Sequence, residues 1–138
     1  MTRPAPVPDG DSAPYWRAAR EGVLALAHCR RCTRATHPPL PVCPHCHSTE
    51  PGWEFRPVDG RGVLASWTVL RQAFLPGFAE EVPIVLADVA MHGHGDLRLI
   101  GRLLDGPEAD LHLGAAVTAV FERLDDGTAV FAFELEGS

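Results

Sequence analysis

Cys29-Arg30-Arg31-Cys32 and Cys43-Pro44-His45-Cys46 are the two segments around which the chain is organised, and they hold its only four cysteines. A loop containing Pro38-Pro39-Leu40-Pro41 separates them. Each CxxC turn can aim two sulfurs at one point, and a short loop brings the second turn to face the first, as a tetrahedral Zn²⁺ site requires. Soft thiolates favour zinc or iron over hard cations, and four of them leave no position open to water. The reading is therefore a structural site, with mononuclear iron as the alternative that shares the pattern. Two disulfides would need an oxidising compartment. A redox dithiol would place its CxxC at a helix start, whereas Cys29 closes an apolar, strand-like run. Thr33 and His47 follow the two turns where glycine best accepts positive φ, so the first turn is the more strained. His28, His37, His45 and His47 crowd the same region and read as solvated or supporting groups beside four thiols.

Working outward, Val23 to His28 reads as a strand delivering Cys29 into the first turn, and Trp53-Glu54-Phe55-Arg56 alternates as the returning arm. A segment this small buries too little to fold unaided, and structural zinc supplies on the order of 10–16 kcal/mol. Upstream, Ser12 as N-cap, Pro14 in the first turn and Gly22 as stop predict a short helix. Tyr15, Trp16 and Ala19 share one side of it. Trp16 either packs on the chain's own ribbon or docks another subunit. Residues 1–12 (MTRPAPVPDGDS) are polar and Pro-rich and read as a mobile tail.

From Asp59 onward the character changes. Val63 to Leu70, Pro83 to Ala90, Leu97 to Leu104, Val117 to Leu124 and Thr128 to Leu135 are five strand-like segments, the last two joined at Asp125-Asp126-Gly127. Gly106 to Leu111 suits one helical turn, and Gly101 fits a bulge or tight bend. Three strands, a short helix and two strands describe a five-stranded Greek-key barrel of the OB type, with an open sandwich as the alternative. The expected fold is mainly β: a short helix and rubredoxin-like zinc ribbon over 13–57, then the barrel over 58–138.

Twelve basic residues, all arginine, stand against eighteen acids, for a formal net charge of −6. A chain built to grip phosphate backbones carries a basic surplus, so nucleic acid is disfavoured as a partner. No apolar run is long enough to span a bilayer, and the start lacks the basic and apolar regions of a signal peptide. The expectation is a cytoplasmic protein with reduced thiols and no membrane contact.

The succession PYWRAAREG, CRRC, HPPLPVCPHC, a Trp-bearing arm, GRGVLASWTVL, FLPGF and LDDG resembles the zinc-ribbon/OB-fold proteins that accompany thiolase-like enzymes, formerly a domain of unknown function. The resemblance covers nearly the whole chain from Pro14. It implies a partner subunit in a hetero-oligomer with a thiolase, a condensing enzyme or a steroid-CoA aldolase, the partner carrying the catalytic groups. It assigns Cys29, Cys32, Cys43 and Cys46 to the metal. It places Trp67, Phe74, Leu75 and Phe78 where such proteins present an apolar channel or contact surface. Thr33, His47 and His37 depart from the pattern, the last standing where an aromatic residue is usual.

Evidence for independent catalysis is thin. GxSxG, HExxH and phosphate-loop motifs are absent from the sequence. Glu80-Glu81 and Asp125-Asp126 read as solvated turns, and His92 and His94 as exposed loop residues. The stretch Arg71 to Glu81 carries more: Phe74, Leu75 and Phe78 beside Pro76 and Gly77 are unexpected in a solvent-washed loop. They either cap the barrel or meet a partner or acyl group. If a coenzyme A thioester threads past, Arg61, Arg71, Arg98 and Arg102 are the nearest cations for its phosphates. Three functions stay open: a non-catalytic accessory subunit of an acyl-CoA enzyme, a single-strand nucleic-acid binder stacking bases on Trp67, and a stand-alone acyl-CoA-binding enzyme.

Overall fold

The computed structural model describes residues 3–137. Helix α1 (Ala13–Arg20) leads into β1 (Ala25–His28), β2 (Ala35–Thr36) and β3 (Glu54–Pro57), which form a three-stranded antiparallel sheet in the order β2-β1-β3. The arm expected at Trp53–Arg56 pairs with β1 in register Leu26↔Arg56 and Ala27↔Phe55. This ribbon carries both cysteine turns.

Strands β4 (Arg61–Leu70), β5 (Ile84–Met91), β6 (Arg98–Leu103), β7 (Ala116–Arg123) and β8 (Ala129–Leu135) close a barrel in the order β4-β5-β6-β8-β7. All pairings are antiparallel except β6 with β8, which is parallel. That is the OB arrangement, reached because inward Leu64, Val85, Val89, Leu99 and Phe133 bury almost completely while most of their strand neighbours are more exposed. The ribbon is not a separate bead. Tyr15, Leu24, Leu26 and Ala35 belong to the same buried cluster as Leu64, Val85 and Phe133.

Four local expectations are corrected. Ser12 stands at the N-cap position as expected, but its side chain makes no cap bond to the helix; its hydroxyl instead accepts the Asp9 N–H at 3.1 Å while Asp9 Oδ1 accepts the Ser12 N–H at 2.8 Å. Gly101 causes no bulge, because the β5–β6 ladder runs unbroken from Val85↔Leu103 to Ala90↔Arg98. Glycine is needed there for space, since a Cβ would lie 2.8 Å from Phe131 and 3.1 Å from Phe133 ring atoms. The barrel's irregularity lies instead between Leu64 and Ser66. Residues 106–111 form turns and no helix. Gly106 takes φ 83° and only isolated bonds such as Ala109 N–H to the Gly106 carbonyl (3.3 Å) form.

The fourth correction concerns the tail. Met1 and Thr2 lie outside the described residues, but Arg3 is fastened to the barrel, bonded to Glu81 and Glu122. A guanidinium between two carboxylates outweighs the local polarity that marks such a segment as free. Among the described residues no helix is long and apolar enough to cross a membrane.

Candidate functional site: the metal centre and the barrel groove

Both cysteine turns have one geometry. Thr33 N–H donates to the Cys29 carbonyl (2.8 Å) and His47 N–H to the Cys43 carbonyl (2.9 Å). Cys29 N–H reaches the Arg34 carbonyl and Cys43 N–H the Ser48 carbonyl, each at 3.0 Å. Closing each turn puts Thr33 at φ 68° and His47 at φ 63°, the left-handed conformation expected at these two places. The Thr33 hydroxyl offsets part of the strain by donating to the Cys32 carbonyl at 2.6 Å.

The four sulfurs lie within 4.8 Å of one another, with Cys29 Sγ 3.8 Å from Cys46 Sγ and Cys32 Sγ 3.7 Å from Cys43 Sγ. A tetrahedron with Zn–S bonds of about 2.3 Å has sulfur–sulfur edges of about 3.8 Å. A disulfide needs about 2.05 Å, and all four cysteines are free. The thiols also disagree electrostatically. Burial opposes ionisation of Cys43, but the backbone N–H groups of Cys46 and His45 and the neighbouring thiols bring its pKa down to about 7. At Cys46 a bond from the Ser48 N–H favours the thiolate, yet burial and the other three sulfurs push its pKa up to about 11. Crowded sulfurs resist sharing negative charge, and a divalent cation at their centre relieves that resistance. The donor set fits structural zinc.

The surrounding histidines have other partners. His28 Nδ1 lies 2.9 Å from the Leu26 carbonyl and His45 Nε2 3.2 Å from the Ala35 carbonyl. His37 fills an aromatic place, 5.5 Å from the Tyr15 ring and 6.3 Å from Phe131, and burial lowers its pKa. Trp16 and Trp67 are partly buried against the core, Trp16 edge-on to Tyr15 at 4.8 Å.

A second feature lies on the outer wall of the barrel. The β4–β5 loop overhangs β5, β6 and β8 to enclose a groove of about 520 Å³, lined by Phe74, Leu75, Phe78, Leu86, Ile100 and Phe131 among others. Phe74 is 89% exposed, Leu75 60% and Ile100 66%. The strand 2–3 face, bordered by the loops after strands 1 and 4, is where OB barrels bind ligands. Here those elements are β5–β6, residues 71–83 and the hairpin after Leu124.

One end of the groove is charged. Arg3 and Arg102 meet Glu81 and Glu122 there, with Arg102 Nη1 3.2 Å from Glu81 and 3.8 Å from Glu122. Of the four arginines considered for phosphate, only Arg102 lines this groove. Arg98 pairs with Asp88 at 2.7 Å, Arg61 with Asp59 at 3.5 Å, and Arg71 is exposed at the start of the loop. Sequence reading gathered Phe74, Leu75 and Phe78 but missed Arg3, Glu81, Glu122 and Ile100. The alternation Arg98, Ile100, Arg102 on the outward side of β6 was the available signal for Ile100; Arg3 left none.

Sequence profiles now match these two parts. The rubredoxin-like zinc ribbon domain of ChsH2 matches residues 16–52, and the C-terminal OB-fold domain of ChsH2 matches residues 55–122. The chain belongs to the ChsH2 family of zinc-ribbon/OB-fold proteins. A solved ChsH2-family structure, described as an Ltp2-ChsH2(DUF35) aldolase, superposes with TM-score 0.78 at 27% identity, covering 95% of this chain and 98% of that one. A DUF35 domain-containing scaffold protein of Methanocaldococcus jannaschii is 25% identical over 126 residues, 88% of this chain and 86% of its own. A probable enoyl-CoA hydratase alpha subunit of Thermomonospora curvata is 35% identical over 89 residues, 64% of this chain. The match spans only 27% of that hydratase subunit's length.

Proposed function

We propose that this chain is a non-catalytic accessory subunit that docks on and supports an acyl-CoA enzyme of the thiolase-like or aldolase-like class. Such an enzyme works in lipid, steroid side-chain or polyketide-type metabolism. The partner supplies the reacting groups, and a coenzyme A thioester is shared with it. The observation that carries this reading is the groove. Phe74 at 89% exposure beside Leu75 and Ile100 is a solvent-facing apolar surface on a small chain, the kind that marks a contact with protein or ligand.

The chemistry of the chain is consistent with a supporting role. Its four thiols face one another in the ribbon. Asp126, a candidate acid at the last hairpin, accepts the Thr128 N–H at 2.8 Å and so caps a turn. In the ribbon, Cys29, Cys32, Cys43 and Cys46 would hold one Zn²⁺ whose only task is to keep the two turns together. The names of the relatives, a scaffold protein, a hydratase subunit and an aldolase, support assembly with an acyl-CoA enzyme.

The test is co-purification of the chain from its native host with identification of the enzyme subunit that comes with it, followed by size-exclusion chromatography and activity assay of the reconstituted pair. Phe74→Ser with Leu75→Ser should abolish co-elution while leaving the melting temperature within about 2 °C, since exposed side chains carry little stability. A purified chain that turns over an acyl-CoA thioester unaided refutes the accessory role.

A further inference from the structure

We infer that the N-terminal arm is a clasp on the barrel groove, and that Arg3 sets the charge of what the groove accepts. This concerns the chain's own surface and stands apart from whether an enzyme subunit binds.

Arg3 joins three segments that are distant in sequence. Its Nε and Nη2 donate to Glu81 at 2.9, 2.8 and 2.6 Å, and its Nη1 and Nη2 donate to Glu122 at 3.2 and 3.3 Å. Glu81 ends the overhanging loop and Glu122 lies on β7, so the guanidinium pins that loop to the barrel wall. It also lies 5.0 Å from the centre of the Phe78 ring, on the same loop. The Arg3 side chain is only 17% exposed.

Behind this anchor the arm is held by packing alone, with Pro4 against the groove and Pro6 half-buried. Residues 4–8 make no hydrogen bond among the described residues until Asp9 engages Ser12 and Ala13, and Val7 is 88% exposed. Pro4, Pro6 and Pro8 stiffen the stretch into an extended rod. Among the described residues of this stretch Arg3 alone is bonded to the barrel, so a stiff segment hinged at Asp9 can lift when Arg3 lets go.

Charge decides the consequence. With the arm docked, two guanidiniums face two carboxylates and this end of the groove is neutral. With the arm lifted, Arg102 alone faces Glu81 and Glu122, leaving one net negative charge beside an apolar cavity where solvent screens poorly. The docked arm therefore removes the bias against apolar ligands bearing an anionic head, and the lifted arm turns the preference toward cationic ones.

The experiment uses the full chain and the variants Arg3→Ala and Arg3→Lys, titrated calorimetrically with dodecanoate and dodecyltrimethylammonium below their micelle concentrations. The tails match and the heads are opposite. Arg3→Ala should shift the affinity ratio toward the cation by about tenfold in dilute buffer, with the shift shrinking in 0.5 M NaCl and Arg3→Lys restoring most of it. Amide hydrogen exchange read without ligand should quicken across residues 72–81 in Arg3→Ala alone. An unchanged ratio overturns the charge role, unchanged exchange overturns the clasp, and a wild-type chain that binds neither amphiphile overturns the groove as a ligand surface. A chain that passes all three yet fails to join an acyl-CoA enzyme would refute only the accessory reading.

Discussion

Stripping the metal from the ribbon should melt the barrel as well. Leu24 and Leu26, on the ribbon side, are 5% and 0% exposed and share one buried cluster with Leu64, Val85 and Phe133 of the barrel. Burying such side chains is worth roughly 1.5–3 kcal/mol each, so these two alone represent about 3–6 kcal/mol, before Tyr15 is counted. That is comparable with the whole margin of about 5–15 kcal/mol by which a domain stays folded. A ribbon that loses its metal loses its turns, and the barrel then loses the cover over one end. For a chain of this size the loss corresponds to a fall of about 10–20 °C in melting temperature. Trp16→Phe with Trp53→Phe leaves Trp67 on β4 as the sole tryptophan and thus a reporter of the barrel. Its fluorescence melt, followed with and without a strong zinc chelator, should drop by that amount and recover on adding equimolar Zn²⁺. A Trp67 transition that stays within about 2 °C after complete metal removal would refute the coupling and make the ribbon and barrel energetically separate.

Other substitutions test the local geometry. Thr33→Gly should tighten metal binding and stabilise the chain by about 0.5–1 kcal/mol, because it removes a β-branched residue from φ 68° at the cost of one hydroxyl bond; chelator competition would measure this. Gly62→Ala should cost about 3 kcal/mol, since its Cβ would lie 2.6 Å from both the Ala90 carbonyl and Val89 Cγ1 in a strand paired on both sides. Gly101→Ala should cost less, about 1–2 kcal/mol, because its closest obstacle is the Phe131 ring edge, which borders the groove and can yield; urea melts would rank the two. His37 is held neutral by burial, with its pKa lowered. The unfolded chain therefore takes up the proton first, so stability is complete above about pH 6.5 and declines as pH falls below it. His37→Phe should flatten that part of the stability profile.

The cysteine spacing, the period-2 apolar alternation and the turn residues sufficed to place the ribbon and all five barrel strands to within a few residues. These signals are local: a CxxC turn, a strand face and an Asp-Gly hairpin are each written in consecutive positions. The positive φ at Thr33 and His47 was legible for the same reason, because the turn requires it whatever residue stands there.

Distance in the chain set the limit. Gly101 reads as a bulge or tight bend until two aromatic rings from β8 are seen to need its missing Cβ. Glu81 reads as a solvated turn residue and Arg3 as part of a free tail until folding brings them together across 78 positions, with Glu122 a further partner across 119. Whether FLPGF caps the barrel or opens to solvent was likewise undecided by its composition, and the fold leaves Phe74 outward and Phe78 under Arg3. Residue chemistry and short-range periodicity are properties of the sequence alone. Which carboxylates a given arginine meets, and which apolar face goes uncovered, depends on how the barrel closes, because those contacts exist only once distant strands share one wall.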